Sequence, residues 1–369
     1  MADDKDILPD QRILSEIFPD VPNITTDLCT VISNTFDTCT FRLQLPTEPR
    51  PGFPADLLIR LETSGSHLSA VAKLQHLAHL QIPHLVPATL AVGSATDATG
   101  REVDYSITPF LVGTTVLEEV WPGLDPHNQR SLVESIVVAM EQLQKAPLGS
   151  PDTGFHPEIK QILEAFLGER AAKSQACEIL DTDDVIAVRS AIDGIGEIEL
   201  TKPDLDQLMS SIVFCHNDLE PRNILVRQVG ANGGGRYELA AIIDWEMAGF
   251  FPFAYESGLK DTVLGSSNLW FSWYSLFKEQ TAMLIPKEEG HEKLIKALRI
   301  IAASKDARMP KNVGVRVAAK WIKRERLRMS PDVRHGWVRE DGAGHVPVFT
   351  KEDNDSLELE VLRELGYIQ

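Results

Sequence analysis

The stretch that constrains this chain most is Phe214-Cys215-His216-Asn217-Asp218-Leu219-Glu220-Pro221-Arg222-Asn223-Ile224-Leu225-Val226, together with its echo Ala241-Ile242-Ile243-Asp244-Trp245-Glu246. The first is a polar cluster bounded by apolar, strand-like segments. The second is an apolar strand that ends on a carboxylate. Between them, Gly230-Ala231-Asn232-Gly233-Gly234-Gly235 joins the strand Asn223 to Val229 to the strand Tyr237 to Asp244, so the pair reads as a hairpin with a flexible tip. A phosphate-cradling reading of those glycines fails because no Lys-Ser/Thr follows them. The hairpin sets Asn223 and Asp244 at one end, and two chain ends that deliver charged groups to one place make the layout of a metal-phosphate site.

The H-x-D-x-x-x-x-N spacing of His216, Asp218 and Asn223, followed by Asp244, resembles the kinase catalytic loop and its metal-binding Asp. Asp244 precedes Trp245-Glu246 where protein kinases have Phe-Gly. The continuation from Met247 to Glu256 is similar to that of fungal-type members of the aminoglycoside phosphotransferase and choline kinase-like family. Over residues 28 to 280 the chain resembles that family. The resemblance implies an α+β, protein-kinase-like bilobal fold, with a small antiparallel-sheet N-lobe over residues 1–111 and a mainly helical C-lobe over residues 112–369.

It also implies an enzyme that uses ATP and Mg2+. Asp218 would orient the acceptor hydroxyl and take its proton, and Asn223 and Asp244 would hold the metal ion. Arg222 sits as in the D-x-x-x-R-N of tyrosine-kinase loops and would offset charge on the transferred phosphate; the alternative is a pairing with Glu220 or Glu246. His216 would buttress the loop from below. No Ala-Pro-Glu anchor follows Asp244, so a small-molecule hydroxyl is expected as acceptor in preference to a polypeptide.

The N-terminal third departs from the family. Cys39, Phe41, Leu43 and Leu45 alternate with polar residues, the period-two pattern of a hairpin strand, and Ser33-Asn34-Thr35-Phe36-Asp37 is its turn. In the family this turn is a glycine-rich flap over the phosphates. Here it has no glycine, and Ser33 and Asn34 would offer backbone amides and side chains instead, or the turn is a plain hairpin. Arg60, in the apolar strand Asp56-Leu57-Leu58-Ile59-Arg60-Leu61, stands where the family has a phosphate-clasping Lys. Its alternatives are solvent or a pairing with Asp56. The helix from Leu68 to Leu80, with an apolar face of Leu68, Val71, Leu74, Leu77 and Leu80, carries no acid near Ala70 to escort that cation. Either Arg60 needs no escort, or an acid such as Glu62 serves, or the nucleotide is held less firmly. Pro109, Phe110 and Leu111, leaving the small lobe, would meet the adenine edge.

Bulk properties narrow the rest. A chain of 369 residues exceeds what one core usually supports, so two lobes are expected. A net charge of -18 argues against nucleic acid or an acidic membrane surface and suits a neutral or cationic acceptor. Cys29, Cys39, Cys177 and Cys215 form no C-x-x-C pair, the start of the chain is charged, and no apolar stretch is long enough to span a bilayer, which together read as a reduced, cytoplasmic protein with buried thiols. Residues 1 to 27 hold a short amphipathic helix. Helices are expected from Asp125, over Ile159 to Leu167, over Val185 to Ile192, and at the tail. The aromatic run Trp270 to Phe277 reads as core or as a pocket for an aromatic or amine acceptor, and the basic run Lys320 to Arg328 as a solvated helix face. The missing flap glycines and helix acid leave an inactive, ATP-binding scaffold as the alternative to a small-molecule kinase. Nothing in the sequence sets the oligomeric state.

Overall fold

The computed structural model describes residues 6–148, 157–173, 175–182, 184–230, 235–263, 268–308, 312–340 and 346–368. Its fold is of the α+β class. The chain forms two compact units, one of Met1–Val116, Gly149–Gly154 and Arg222–Ala248, the other of Leu117–Leu148, Phe155–Pro221 and Gly249–Gln369.

In the first unit a short helix, α1 (Gln11–Ile17), precedes strands β1 (Cys29–Asn34), β2 (Thr38–Gln44) and β3 (Asp56–Thr63), helix α2 (Leu68–Gln81), and strands β4 (Ala91–Thr96) and β5 (Glu102–Pro109). The strands make one antiparallel sheet in the order β1-β2-β3-β5-β4. Alternation decides which side is buried. Leu57, Ile59 and Leu61 of β3 are fully buried with Cys39, Phe41 and Leu43 of β2, and Ile13, Leu14 and Ile17 of α1 join the same cluster. Each such aliphatic side chain contributes about 1.5–3 kcal/mol by leaving water. Asp10 caps α1 by accepting from the Ile13 amide at 2.9 Å.

The opposite face of the sheet is therefore polar. Arg60 lies across from Thr40 and Ser106, and Glu62 across from Thr38 and Asp104. In α2 the buried residues are Leu68, Leu77 and Ala78, while Leu80 is 61% exposed. The expected apolar face thus ends one turn early, and Ile82 and Val86 beyond the helix are buried instead. The chain after α2 also holds the hairpin: the Ile242 amide donates to the Leu85 carbonyl at 2.8 Å. That hairpin pairs Ile224–Val229 with Arg236–Ile242 and adds the short strand Thr115–Val116. Residues 231–234 of its glycine tip lie outside the described residues.

The second unit is mostly helical. Pro126–Leu143 buries Leu132, Ile136, Val137, Met140 and Leu143, and Ile159–Leu167 forms as expected. Val185–Ser190 does not form a helix. It is the middle strand of an antiparallel meander between Cys177–Thr182 and Glu197–Thr201, with Ile186 and Val188 turned inward. Its β-branched residues and inward alternation favour the strand. Ile212–Cys215 pairs with Gly249–Pro252 and leads into the loop that begins at His216.

Trp273, Tyr274 and Phe277 of the helix Phe271–Thr281 are fully buried, so the aromatic run is core. Around it lies a buried charge cluster: Asp261 takes Lys278 at 3.2 Å, Arg299 at 2.6 Å and the Tyr274 hydroxyl at 2.6 Å. The basic run belongs to the helix Val313–Arg324, and the final helix Lys351–Glu364 answers it, with Lys320 paired to Glu360 and Glu364 and Arg324 to Asp353. Cys39, Cys177 and Cys215 are buried and Cys29 is half-buried. Among the described residues no helix is long and apolar enough to cross a membrane.

Candidate active site

Within the first unit, β3 and the end of the hairpin bring Arg60 to Asp244 and Glu246. The guanidinium meets Glu62 through Nε at 2.6 Å, Glu246 through Nη2 at 3.3 Å and Asp244 through Nη1 at 3.9 Å. Residues two apart on a strand share a face, which is why Glu62 stands beside Arg60. The reading of Arg60 as a partner of Asp56 is corrected: Arg42 takes that carboxylate through both Nε, at 2.7 Å, and Nη2, at 2.5 Å. A cavity of about 450 Å³ opens here, lined by Asp37, Thr38, Arg60, Glu62, His67 and Glu246 with neighbouring residues. Its size is that of a small-ligand pocket.

Asn223 and Asp244 lie at the open end of the hairpin, where the Ile243 amide donates to the Asn223 carbonyl at 3.0 Å. Asn223 is buried and Arg222 exposed. Asp244 has a left-handed backbone, with φ at 65°. Asn and Asp tolerate that region better than other residues with a Cβ, yet it is held only where the surroundings fix it.

The turn between β1 and β2 is shorter than expected. Ser33 and Asn34 belong to β1, opposite Thr40 and Cys39, and the turn proper is Thr35 to Asp37. It is tied down by its own groups and by its neighbours. Thr35 Oγ1 donates to Asp37 at 2.5 Å, the Asn34 amide group donates to Asp6 at 2.9 Å, and Arg101 donates to the Phe36 carbonyl at 2.7 Å. In the segment Pro109 to Leu111, Pro109 has no N–H, and the amide of Phe110 donates to the Asp56 carbonyl at 3.0 Å. The Arg42 guanidinium covers the Phe110 ring at 4.3 Å.

Within the second unit, the strand Ile212–Cys215 delivers His216, Asn217 and Asp218. Asn217 is left-handed, with φ at 63°. The Asp218 amide donates to His216 Nδ1 at 3.2 Å, so the imidazole acts as an acceptor that fixes the Asp218 backbone. The loop hangs on a buried carboxylate, Glu256, which accepts from the His216 amide at 3.1 Å and from the Asn217 amide. Burial raises the Glu256 carboxyl above its ordinary range, against the pull of Lys260 and these two amides. Burial likewise pushes the Cys215 thiol up.

The sequence marks Glu256 only as the end of the family-like continuation from Met247. Its partners are amides about forty positions upstream, and a backbone acceptor leaves no motif. Glu62 was one of three options for Arg60, and the i, i+2 spacing on a strand is the signal that would have singled it out. His216 was read as a buttress, and its hydrogen bond to the Asp218 amide is the form the buttress takes.

The first unit thus sets a strand cation beside a hairpin-end carboxylate, and the second separately holds the Asp218 loop on a buried acid. The chain belongs to the APH phosphotransferase enzyme family, whose model matches residues 56–273. Comparison with curated protein sequences finds no match. Among solved structures, the GDP complex of aminoglycoside 2'-phosphotransferase-IIIa is similar at 11% identity and a TM-score of 0.45, over 95% of this chain and 97% of that one. The streptomycin-ATP-APH(2")-IIa ternary complex is similar at 12% identity and a TM-score of 0.41, over 97% of each chain. Spectinomycin phosphotransferase APH(9)-Ia, in complex with ADP and spectinomycin, is similar at 12% identity and a TM-score of 0.34, over 75% of this chain and 93% of that one. Family membership rests on the sequence match and not on these likenesses.

Proposed function

We propose that the chain is a cytoplasmic, ATP- and Mg2+-dependent phosphotransferase that moves the γ-phosphate to a hydroxyl of a small acceptor, neutral, cationic or aromatic. The observation that supports this reading best is that Arg60 meets Glu246, 186 positions away, with Asp244 at the same guanidinium. A phosphate-binding cation and a metal-binding carboxylate need to share one place, and here one unit supplies both.

Asn223 and Asp244 offer two hard oxygen donors. That is too few for an all-protein cage and suits Mg2+, which keeps water and phosphate oxygens in its shell. When bound, the ion neutralises charge on the β- and γ-phosphates. Asp218 orients the acceptor hydroxyl and takes its proton as the hydroxyl oxygen bonds to the γ-phosphorus and ADP leaves with the bridging oxygen. Arg222 offsets charge on the phosphoryl group in transit. Pro109 to Leu111 border the base, with Leu111 supplying the amide that Pro109 lacks, and Ser33 and Asn34 flank the phosphates from β1. The net charge of -18 repels polyanions and suits a cationic acceptor.

The test is ADP release from ATP and Mg2+ over a panel of amino alcohols, aminocyclitols and aromatic alcohols. Asp218→Asn is expected to lower kcat by about 10²–10⁴-fold while leaving ATP affinity in place. Unchanged turnover in that variant would remove Asp218 from the base role. A second reading, an ATP-binding scaffold, is favoured by the glycine-free and tied turn at Thr35 to Asp37. Stabilisation by ATP and Mg2+ with no ADP release on any acceptor would select it.

A further inference from the structure

The guanidinium of Arg60 has two working edges, and carboxylates of unlike character hold them. On the Nε edge, Glu62 lies at 2.6 Å with its side chain 16% exposed. On the Nη edge, Glu246 lies at 3.3 Å with its side chain 47% exposed, and Asp244 at 3.9 Å. Glu62 is rooted in the middle of the sheet, opposite Thr38 on one side and Asp104 on the other. Asp104 is itself tied by Ser94 at 2.8 Å and by the Ser66 amide and hydroxyl at 3.0 and 3.1 Å, so the surroundings of Glu62 are fixed. Glu246 instead follows the left-handed turn at Asp244 and, like Glu62, lines the cavity.

An arginine grips a phosphate by presenting two N–H groups along one edge. The Nε edge is taken by a short, half-buried pair. The Nη edge is taken by a longer and more exposed one, and both glutamates line the cavity. A phosphate oxygen can replace Glu246 there while Glu62 keeps the guanidinium plane in position.

We infer that the two glutamates divide the work at Arg60: Glu62 is a positioning residue that holds the cation, and Glu246 is an exchangeable partner that a polyphosphate displaces. The inference rests on the nucleotide site proposed above and adds a sign to each residue. Removing the charge of Glu62 loosens the cation and weakens polyphosphate binding. Removing the charge of Glu246 takes away a competitor and strengthens it.

The measurement is calorimetric titration of the full chain with a non-hydrolysable ATP analogue and with inorganic tripolyphosphate. It is done without divalent metal, so that loss of a metal partner does not enter. Glu62→Gln is expected to weaken binding, and Glu246→Gln to tighten it, each by about three- to fivefold, the effect of a partly exposed ion pair. Glu62→Asp, which keeps the charge on a shorter arm, should fall between wild type and Glu62→Gln. On an Arg60→Ala background both substitutions should become silent. A merely structural role would move both variants the same way. Effects of one sign, or none, with wild-type binding intact overturn the inference and leave the phosphotransferase reading standing. Failure of the wild-type chain to bind either probe overturns the inference, and failure to bind the analogue with Mg2+ present as well overturns both.

Discussion

At the scale of single residues, Glu256 shows how one buried carboxylate organises a loop through its backbone. Two backbone amides, of His216 and Asn217, depend on it. Glu256→Ala leaves both without their acceptor, and a lost acceptor strands each donor at a cost of about 1–3 kcal/mol. Chemical denaturation should register that loss. Glu256→Gln keeps an acceptor oxygen and removes the charge. Because burial raises the folded carboxyl, its favourable contribution is complete below the unfolded value of about 4.3 and is lost as pH rises through the folded value. Measured at pH 5 and pH 8, the stability of Glu256→Gln relative to wild type should therefore improve at the higher pH. A relative decline would show that the carboxylate is better compensated than its burial implies.

At the scale of elements, the hairpin of Met329–Asp332 and Gly336–Arg339 is pinned to the aromatic core. The Trp337 amide donates to the Tyr274 hydroxyl at 2.9 Å, and Arg299 donates to the Asp332 carbonyl at 2.6 Å. Gly336 has φ at 73°, and a Cβ there would fall 2.0 Å from that hydroxyl. Gly336→Ala is thus expected to lower stability by about 2–4 kcal/mol, from backbone strain and overpacking together. A thermal midpoint within a degree of wild type would contradict the pinning. Nothing in the sequence around Gly336 signals this contact, since its partner lies some sixty positions upstream.

Other elements were legible to the degree that their pattern was local. The alternation of Cys39, Phe41 and Leu43 and of Leu57, Ile59 and Leu61 announces β2 and β3. The residues from His216 to Asn223 and the run ending in Asp244 announce the loop and the hairpin by spacing as well as identity. Val185 to Ser190 was misread because a short apolar run has no period long enough to separate strand from helix, and only its pairing on both sides decides. Leu80 was misread because helical spacing alone does not show where a helix stops packing, and it is 61% exposed. The turn lost Ser33 and Asn34 to β1 through the register shift between Val31 and Ser33, which a sequence does not display.

At the scale of the whole molecule, stability against pH should be bounded on two sides. At the acid end Asp204 and Asp353 sit below the usual carboxylate range: burial opposes ionisation, but hydrogen bonds from Lys293 and Thr201, and from Thr350 and Arg324, outweigh it. A depressed carboxyl contributes stability above its unfolded value that is lost as pH falls through the folded one, so stability is expected to decline as pH drops below about 4. At the alkaline end burial raises the Cys39 thiol from 9.0 to about 11. That contribution is present below the unfolded value and lost as pH climbs toward the folded one. Melting curves between pH 8 and 11 should fall less steeply for Cys39→Ser than for wild type, by on the order of 2 kcal/mol across the range. Equal slopes would show that the thiol does not ionise on unfolding.

The same-strand escort of Arg60 bears on how such a molecule can be controlled. Where the acid that steadies a phosphate-binding cation comes from a neighbouring helix, swinging that helix turns the site on and off. Here α2 carries no acid at Ser69, Ala70 or Val71, and the steadying group is two residues from the cation on one rigid strand. The pair forms when β3 forms, and no hinge separates its members. Helix displacement, the usual lever of kinase regulation, thus has nothing to pull on at Arg60.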